Sequence, residues 1–287
     1  MAKGRELKGR IKSVENTRKI TRTMEMVATS KMKRAQDRVV AARPYANSLT
    51  EVIANLYTPE LAEHFRLLRQ PAEVKKAAVI LLTSNRGLAG AFNANLLKEA
   101  RNLLGRLAET NVEPELHVVG KKGIGYFKYV GRALASSRTD ITGQPTVANA
   151  AELVDSLIER FASGEIDAVY VIYSKFNSAL STPPTSQLIL PVTPPERKGP
   201  QPDYILLPSA EVILTQLLPS YVRNSVYRAL VENEAGFQSA QRTAMKNATD
   251  NAGEMINVLR RTFNRARQAQ ITQEIAEIVG GASALQG

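Results

Sequence analysis

Apolar residues recur at spacings of three and four along both ends of the chain, and in unbroken runs through its middle. In the opening stretch, Lys3 to about Tyr57, Leu7, Ile11 and Val14 follow the 4,3 spacing of a coiled-coil seam. Ile20, Met24 and Val27 follow, and then Met32, Ala35, Val39 and Ala42, so a seam drawn through apolar residues shifts phase twice. The closing stretch, from about Ser209, carries Val226, Leu230, Phe237, Ala244, Ala248, Ala252, Met255, Leu259, Phe263, Ala266 and Ala269. Its alanines allow close backbone approach. At about 1.5 Å per residue the opening helix would reach roughly 80 Å and the closing one more, too long for an ordinary domain of this size. The pattern therefore predicts two long helices that extend from the domain and pair with each other, through a seam irregular enough to fray in isolation.

Between them the period changes. Ala77 to Thr83 reads as a buried strand, Ala91 to Ala108 as a helix, and Leu116 to Gly120 as a second strand. Val147 to Phe161 reads as an amphipathic helix, Ala168 to Tyr173 as another buried strand, and Ser186 to Val192 as a further strand-like run. Thr193 to Pro202, with four prolines, is a loop by composition. The fold class is α/β: a long antiparallel coiled coil of N- and C-terminal helices with an inserted Rossmann-like α/β domain. The expected domains are an N-terminal coiled-coil helix over 1–58, an α/β foot over 74–208, and a C-terminal coiled-coil helix over 209–287.

Charge changes this picture more than composition does. The 287 residues carry a net charge of +11, and the first forty hold twelve basic residues against four acidic ones. A basic helix suits nucleic acid, an anionic membrane surface or an acidic protein partner. Nucleic acid would ordinarily bring interleaved aromatics, and none occurs before Tyr45, so no nucleic-acid partner is expected. The chain has no cysteine, which excludes disulfides and thiolate chemistry, and its two histidines, His64 and His117, read as structural. No apolar run is long enough to cross a bilayer, and the first residues lack the apolar core of a signal peptide.

Candidate chemistry is thin. Ser84 to Asn93, SNRGLAGAFN, is a strand-to-helix turn whose Gly87 and Gly90 would let a phosphate approach a helix N-terminus. The G-x-G-x-x-G order and a following G-K-[ST] are both missing, which favours a structural turn, and Gly120 to Gly125, GKKGIG, falls short of either fingerprint too. No metal site, catalytic residue or cofactor is called for.

Four blocks nevertheless resemble one family: Ile11 to Gln36, Thr83 to Leu96, Ala244 to Ile256, and Phe263 to Ala284 with its ITQEIAEIVGGASA ending. They are similar to the gamma subunits of F-type ATP synthases, the central rotor shafts, and to bacterial-type members, since the cysteine-bearing insert of the chloroplast form is missing. The resemblance implies a shaft running up a ring of three alpha and three beta subunits, with the α/β domain beside the epsilon subunit and the c-ring. The shaft would couple ion flow through the c-ring to ATP synthesis or hydrolysis by rotation. It would be a regulator and not itself a catalyst, held peripherally at the cytoplasmic face of the cell membrane through the complex alone.

By motif, the family's polar catch toward beta falls on Arg267, Gln268 and Thr272, and its lower contact with beta on Lys19, Arg22, Met24, Lys31, Lys33 and Arg34. Arg260, Arg261 and Arg265 face either acidic loops of beta or solvent. The apolar tip that turns in a bearing falls on Ile275, Ile278, Val279, Ala282 and Leu285, and the surface for epsilon and the c-ring on Asp203, Tyr204, Ile205 and Leu206. A nucleotide-dependent enzyme and a basic nucleic-acid binder are the rival classes; neither accounts for the C-terminal block.

Overall fold

The computed structural model describes residues 2–58, 64–141, 143–193 and 209–284, with side chains from 4 to 282. Asp203, Tyr204, Ile205, Leu206 and Leu285 lie outside the described residues. Two long helices frame the chain: α1, Ala2–Leu56, and α5, Ala210–Ala284. Each tolerates one internal proline, Pro44 in α1 and Pro219 in α5. Proline removes one backbone donor. Next to Pro219, the Ser220 hydroxyl bonds the Gln216 carbonyl at 3.0 Å. Residues group into two compact units, one of 1–28 with 242–287 and the other of 29–241.

The larger unit is built on a five-stranded sheet ordered β3-β2-β1-β4-β5, with β1 Lys76–Leu82, β2 Glu113–Val119, β3 Ser136–Arg138, β4 Ala168–Ser174 and β5 Pro184–Leu190. All neighbours are parallel except β4 with β5. β1 is central, and every residue after Lys76 is buried, which is why AAVILL reads as one continuous apolar run. Alternate residues serve opposite faces: Ala77, Val79 and Leu81 pack under helix α2, Phe92–Glu109, through Leu96, Ala100, Leu103 and Leu107. Ala78, Ile80 and Leu82 pack under helix α4, Val147–Ser163, through Ala150, Val154, Leu157 and Phe161. Each such side chain removed from water contributes roughly 1.5–3 kcal/mol. Thr146 and Asn149 form a capping box at the start of α4, and Gly164 closes its end in the left-handed conformation.

Three described elements lie beyond what the periodicity predicts: a 3-10 turn, Arg66–Leu68, the three-residue edge strand β3, and a short helix α3, Lys121–Tyr129, that begins in the GKKGIG segment. Gly120 makes α3 possible: its φ is +101°, and a Cβ there would sit 2.2 Å from the Thr83 carbonyl oxygen.

Helices α1 and α5 complete this unit. Leu49, Ile53 and Leu56 of α1 and Leu214, Leu218, Val222, Val226 and Leu230 of α5 join the core on the α4 side of the sheet. Ala35 and Val39 pack with Phe176, Val231 and Ala235. An ion network ties α4 to the sheet: Arg160 donates to both Glu115 carboxylate oxygens at 2.8 Å and holds that carboxyl below its ordinary range. Beside it His117 is mostly buried, its Nδ1 2.8 Å from Ser136 Oγ and its Nε2 3.9 Å from Glu115.

Two predictions follow from this packing. Gly120→Ala should cost at least about 3 kcal/mol, through both the positive φ and the clash with Thr83, and chemical denaturation of the full chain checks it. Desolvation depresses the His117 pKa below its ordinary 6.5, against a smaller opposing pull from Glu115. The unfolded chain then binds a proton more readily than the folded one. The stabilisation is complete above pH 6.5 and is lost as the pH falls through the folded value. Melting temperature should fall on acidification below that point, and His117→Gln should flatten that part of the profile.

Candidate functional site: a helical pair with a polar seam

In the smaller unit α1 and α5 run antiparallel. Along α1, partners rise from Gly4 through Glu15 and Arg18 to Thr21, while along α5 they fall from Phe263 through Arg260 and Gly253 to Thr249. The buried and half-buried positions of α1 in this unit include 4, 7, 11, 14, 21, 25 and 28. These are 3,4 spacings with no phase shift, and the step between 14 and 21 passes through Arg18. Facing them on α5 are 245, 249, 252, 256, 259, 263, 266 and 270, again alternating four and three.

The expected seam therefore needs correction at four places. Ile20 and Val27 are exposed, because the seam runs instead through Arg18, Thr21 and Glu25. Met255 is exposed and its neighbour Ile256 is buried; likewise Ala269 gives way to Gln270. A seam sought only among apolar residues jumps phase wherever polar ones occupy it. Extending the 7, 11, 14 spacing strictly would have found Arg18, Thr21 and Glu25.

This polar layer is bonded. Thr249, buried, lies 2.8 Å from the Thr21 hydroxyl, and Thr21 also donates to the Arg18 carbonyl at 3.1 Å. The Arg18 guanidinium passes over Gly253, with its Nε 3.6 Å from where a Cβ would stand. Arg260 meets Glu15 at 2.6 Å on the surface, where solvent leaves such a pair little net energy. Polar contacts of this kind fix register better than they add stability.

Outside the seam the surface is cationic. Lys19 and Arg22 line one groove with Arg18, Gly253, Asn257 and Arg260; Arg267 lines another with Arg5, Phe263 and Gln273. Arg267 and Gln268 are exposed, and their side chains have no hydrogen-bond or ion-pair partner among the described residues; Thr272 donates to the Gln268 carbonyl at 3.0 Å. Met24 is half-buried. In the other unit Lys33 pairs with Asp37 at 2.8 Å, Arg34 reaches Ser30 at 3.4 Å, and Lys31 is exposed. Residues 271–282 of α5 are exposed throughout, and Ile271, Ile275, Ile278 and Ala282 keep one stripe, with Val279 beside it.

The turn Ser84 to Asn93 is held from within. Asn93 Oδ1 accepts from the Ser84 amide at 3.1 Å, and Asn85 accepts from the Lys121 amide at 2.8 Å while donating to the Thr139 carbonyl at 2.7 Å. The first amides of α3 are thereby used up, since Lys122 bonds the Ser84 carbonyl and Gly123 bonds the Thr83 hydroxyl. Open doubly wound sheets hold ligands beyond the carboxyl ends of their strands, where chain order reverses, here between β1 and β4. In that place α5 lies against the sheet: Asn233 accepts from the Ser174 amide at 3.0 Å, and Phe237 packs edge-on to Phe92 at 5.6 Å. No group of three or more potential metal ligands occurs among the described residues, and none of their helices is long and apolar enough to cross a membrane.

A helical pair with a bonded polar seam, a cationic surface and an α/β unit whose ligand crevice receives its own helix define the class: a long-helix subunit built on an α/β unit, with no ligand crevice left open at its switch point. The family model described as ATP synthase matches residues 3–285. The ATP synthase gamma chain of Gemmatimonas aurantiaca is 67% identical over all of both chains, and that of Leptospira biflexa is 43% identical over 99% of this chain and all of its own. Among solved structures, the central stalk and c-ring of Tetrahymena thermophila mitochondrial ATP synthase contains a chain with a TM-score of 0.59 at 26% identity, covering 80% of this chain and 99% of its own. A chain of the Euglena gracilis mitochondrial ATP synthase shares the fold with a TM-score of 0.68 at 19% identity, covering 99% of this chain and 95% of its own. The chain belongs to the gamma-chain family of F-type ATP synthases, the central-stalk subunits.

The seam yields a prediction of its own. Thr249→Val takes away the hydroxyl that Thr21 accepts from, leaving Thr21 only its bond to the Arg18 carbonyl, and should cost about 1 kcal/mol, whereas Thr21→Val with Thr249→Val should come close to neutral. Thermal melting of the full chain and both variants tests this.

Proposed function

We propose that this chain is the rotor shaft of an F-type ATP synthase, and that it couples ion flow through a membrane c-ring to ATP synthesis and hydrolysis on a ring of three alpha and three beta subunits. It contributes no catalytic group; it regulates by where it stands. The observation that carries the reading is the uncovered end of α5: residues 271–282 keep an apolar stripe exposed, just past a pair of free polar side chains. An apolar stripe left in water implies a partner.

In this reading the division of labour is by chain segment, with 1–58 and 209–287 as the shaft and 74–208 as the foot. Ile275, Ile278, Val279, Ala282 and Leu285 turn in an apolar sleeve at the top of the ring. Arg267, Gln268 and Thr272 make directional hydrogen bonds to beta that break and reform at each step. Lys19, Arg22, Lys31, Lys33 and Arg34, with Met24, meet acidic loops of beta lower down, which accounts for the basic excess of α1. Asp203, Tyr204, Ile205 and Leu206 dock epsilon and the c-ring, and association with the cytoplasmic face of the cell membrane runs through the complex alone.

The test is reconstitution with alpha and beta subunits from the same source. One copy should join three alpha-beta pairs and sustain ATP hydrolysis. Arg267→Ala with Gln268→Ala should leave assembly intact and slow turnover about fivefold or more, the effect of about 1 kcal/mol lost from a rotary step. A chain that neither joins the ring nor changes hydrolysis overturns the proposal.

A further inference from the structure

Along α5 the chemistry of the buried face changes within a few residues. From Leu214 to Val231 the helix covers the core with apolar side chains, an attraction that is strong but sets no precise angle for any one group. From Glu232 to Ser239 four polar side chains are buried: Glu232, Asn233, Gln238 and Ser239. Three of them reach one short segment, from Ser174 at the end of β4 to Ala179. Asn233 Oδ1 accepts from the Ser174 amide at 3.0 Å, Glu232 Oε2 accepts from the Phe176 amide at 3.1 Å, and the Ser239 hydroxyl donates to the Ala179 carbonyl. Gly236 sits between them with no side chain; a Cβ there would lie 2.6 Å from Ser174 Oγ and 3.0 Å from Ser174 Cβ.

We infer that this contact is the torque anchor of the subunit, with Glu232, Asn233 and Ser239 as positioning residues that stop α5 from turning on the sheet. The inference rests on the rotor reading above. Turning the helix by even one residue, about 100°, breaks all three bonds together, leaves the buried Asn233 amide and two backbone amides unpaired, and leaves Glu232 only Arg228 of its own helix. Apolar packing of Leu214, Leu218, Val222 and Val226 opposes the same turn, and the three bonds add a directional restraint that fixes the angle at which the helix stands. The anchor also stands at the end of the α5 segment that belongs to the larger unit, Ala210 to Gln241, so it is the last grip on the helix before the segment that pairs with the start of α1. Its partners are main-chain groups: the Ser174 amide at the end of β4, where that strand pairs with β5, and the Phe176 amide and Ala179 carbonyl in the connection that follows.

The complete complex, reconstituted in vesicles with its c-ring, tests the anchor. Asn233→Leu should assemble at the normal stoichiometry and hydrolyse ATP within about twofold of the parent, while the ion gradient it sustains falls about fivefold. Asn233→Asp keeps an acceptor oxygen for the Ser174 amide and should restore most of that gradient. A full gradient with Asn233→Leu overturns the anchor. A second measurement covers a variant that does not assemble. The chain has no cysteine, so Ser174→Cys with Gly236→Cys creates its sole thiol pair, at a separation that a small adjustment brings to disulfide length. If the contact is a fixed anchor, oxidation leaves pumping unchanged; a reversible loss of pumping on oxidation shows a joint that must move and overturns the proposal. A parent chain that neither joins the hexamer nor supports pumping sinks the rotor reading itself, a result distinct from either of these.

Discussion

A helix of 75 residues, about 110 Å long, cannot cover its own apolar side, and most of this chain is an answer to that constraint on α5. Its first twenty or so residues find cover on the α4 side of a sheet, Phe237 finds it on the α2 side, and residues 245–270 find it on the start of α1. Past them, residues 271–282 stay exposed. The sheet's helices follow from the same demand, because β1 is buried on both faces and must have α2 on one and α4 on the other. The site at the carboxyl ends of the strands, which in other open α/β sheets is left to a ligand, here takes Asn233 and Phe237 of α5.

Where the sequence was legible, the signal was burial on a period. AAVILLT and AVYVIY read as strands because a central parallel strand has no polar face to interrupt it, and Val147 to Phe161 read as a helix because its apolar stripe faces one sheet. The helical pair was legible in extent but not in register. Ile20 and Met255 drew the seam off course because they are apolar and exposed, while Arg18, Thr21 and Thr249 hold seam positions as polar residues. The short elements were harder: β3 has three residues and little apolar pattern, and α3 begins inside a glycine-rich segment. Hardest of all was the contact of Glu232 and Asn233 with the end of β4 and the residues just past it, since a side chain that bonds a distant backbone amide leaves no periodic trace.

The seam's polar layer and the polar anchor have a common logic. Both replace apolar burial with hydrogen bonds at places where position matters more than adhesion, between two helices in one case and between a helix and a sheet in the other. Leucine at these sites would bury more area and specify less. At the anchor a small residue serves the same end: Gly236 admits Ser174, so that polar contact is made at close backbone approach.

A shaft inside a ring of three identical sites must be unlike itself on every side, since a threefold-symmetric axle would present the same face to all three and could not hold them in different states. An antiparallel pair drawn from one chain meets that demand without any special device. The two helices run in opposite directions, and their surfaces differ in chemistry. α1 carries Lys19 and Arg22 on its exposed side, while α5 carries Met255, Val258 and, further on, Arg267 and Gln268. The polar seam then has a second consequence. By fixing which α5 residue stands beside which α1 residue, Thr21 with Thr249 and Glu15 with Arg260, it fixes the angular order in which charged, apolar and polar faces pass a given point as the pair turns. A seam of leucines that tolerated a slip of register would blur that order, and with it the difference between one third of a turn and the next.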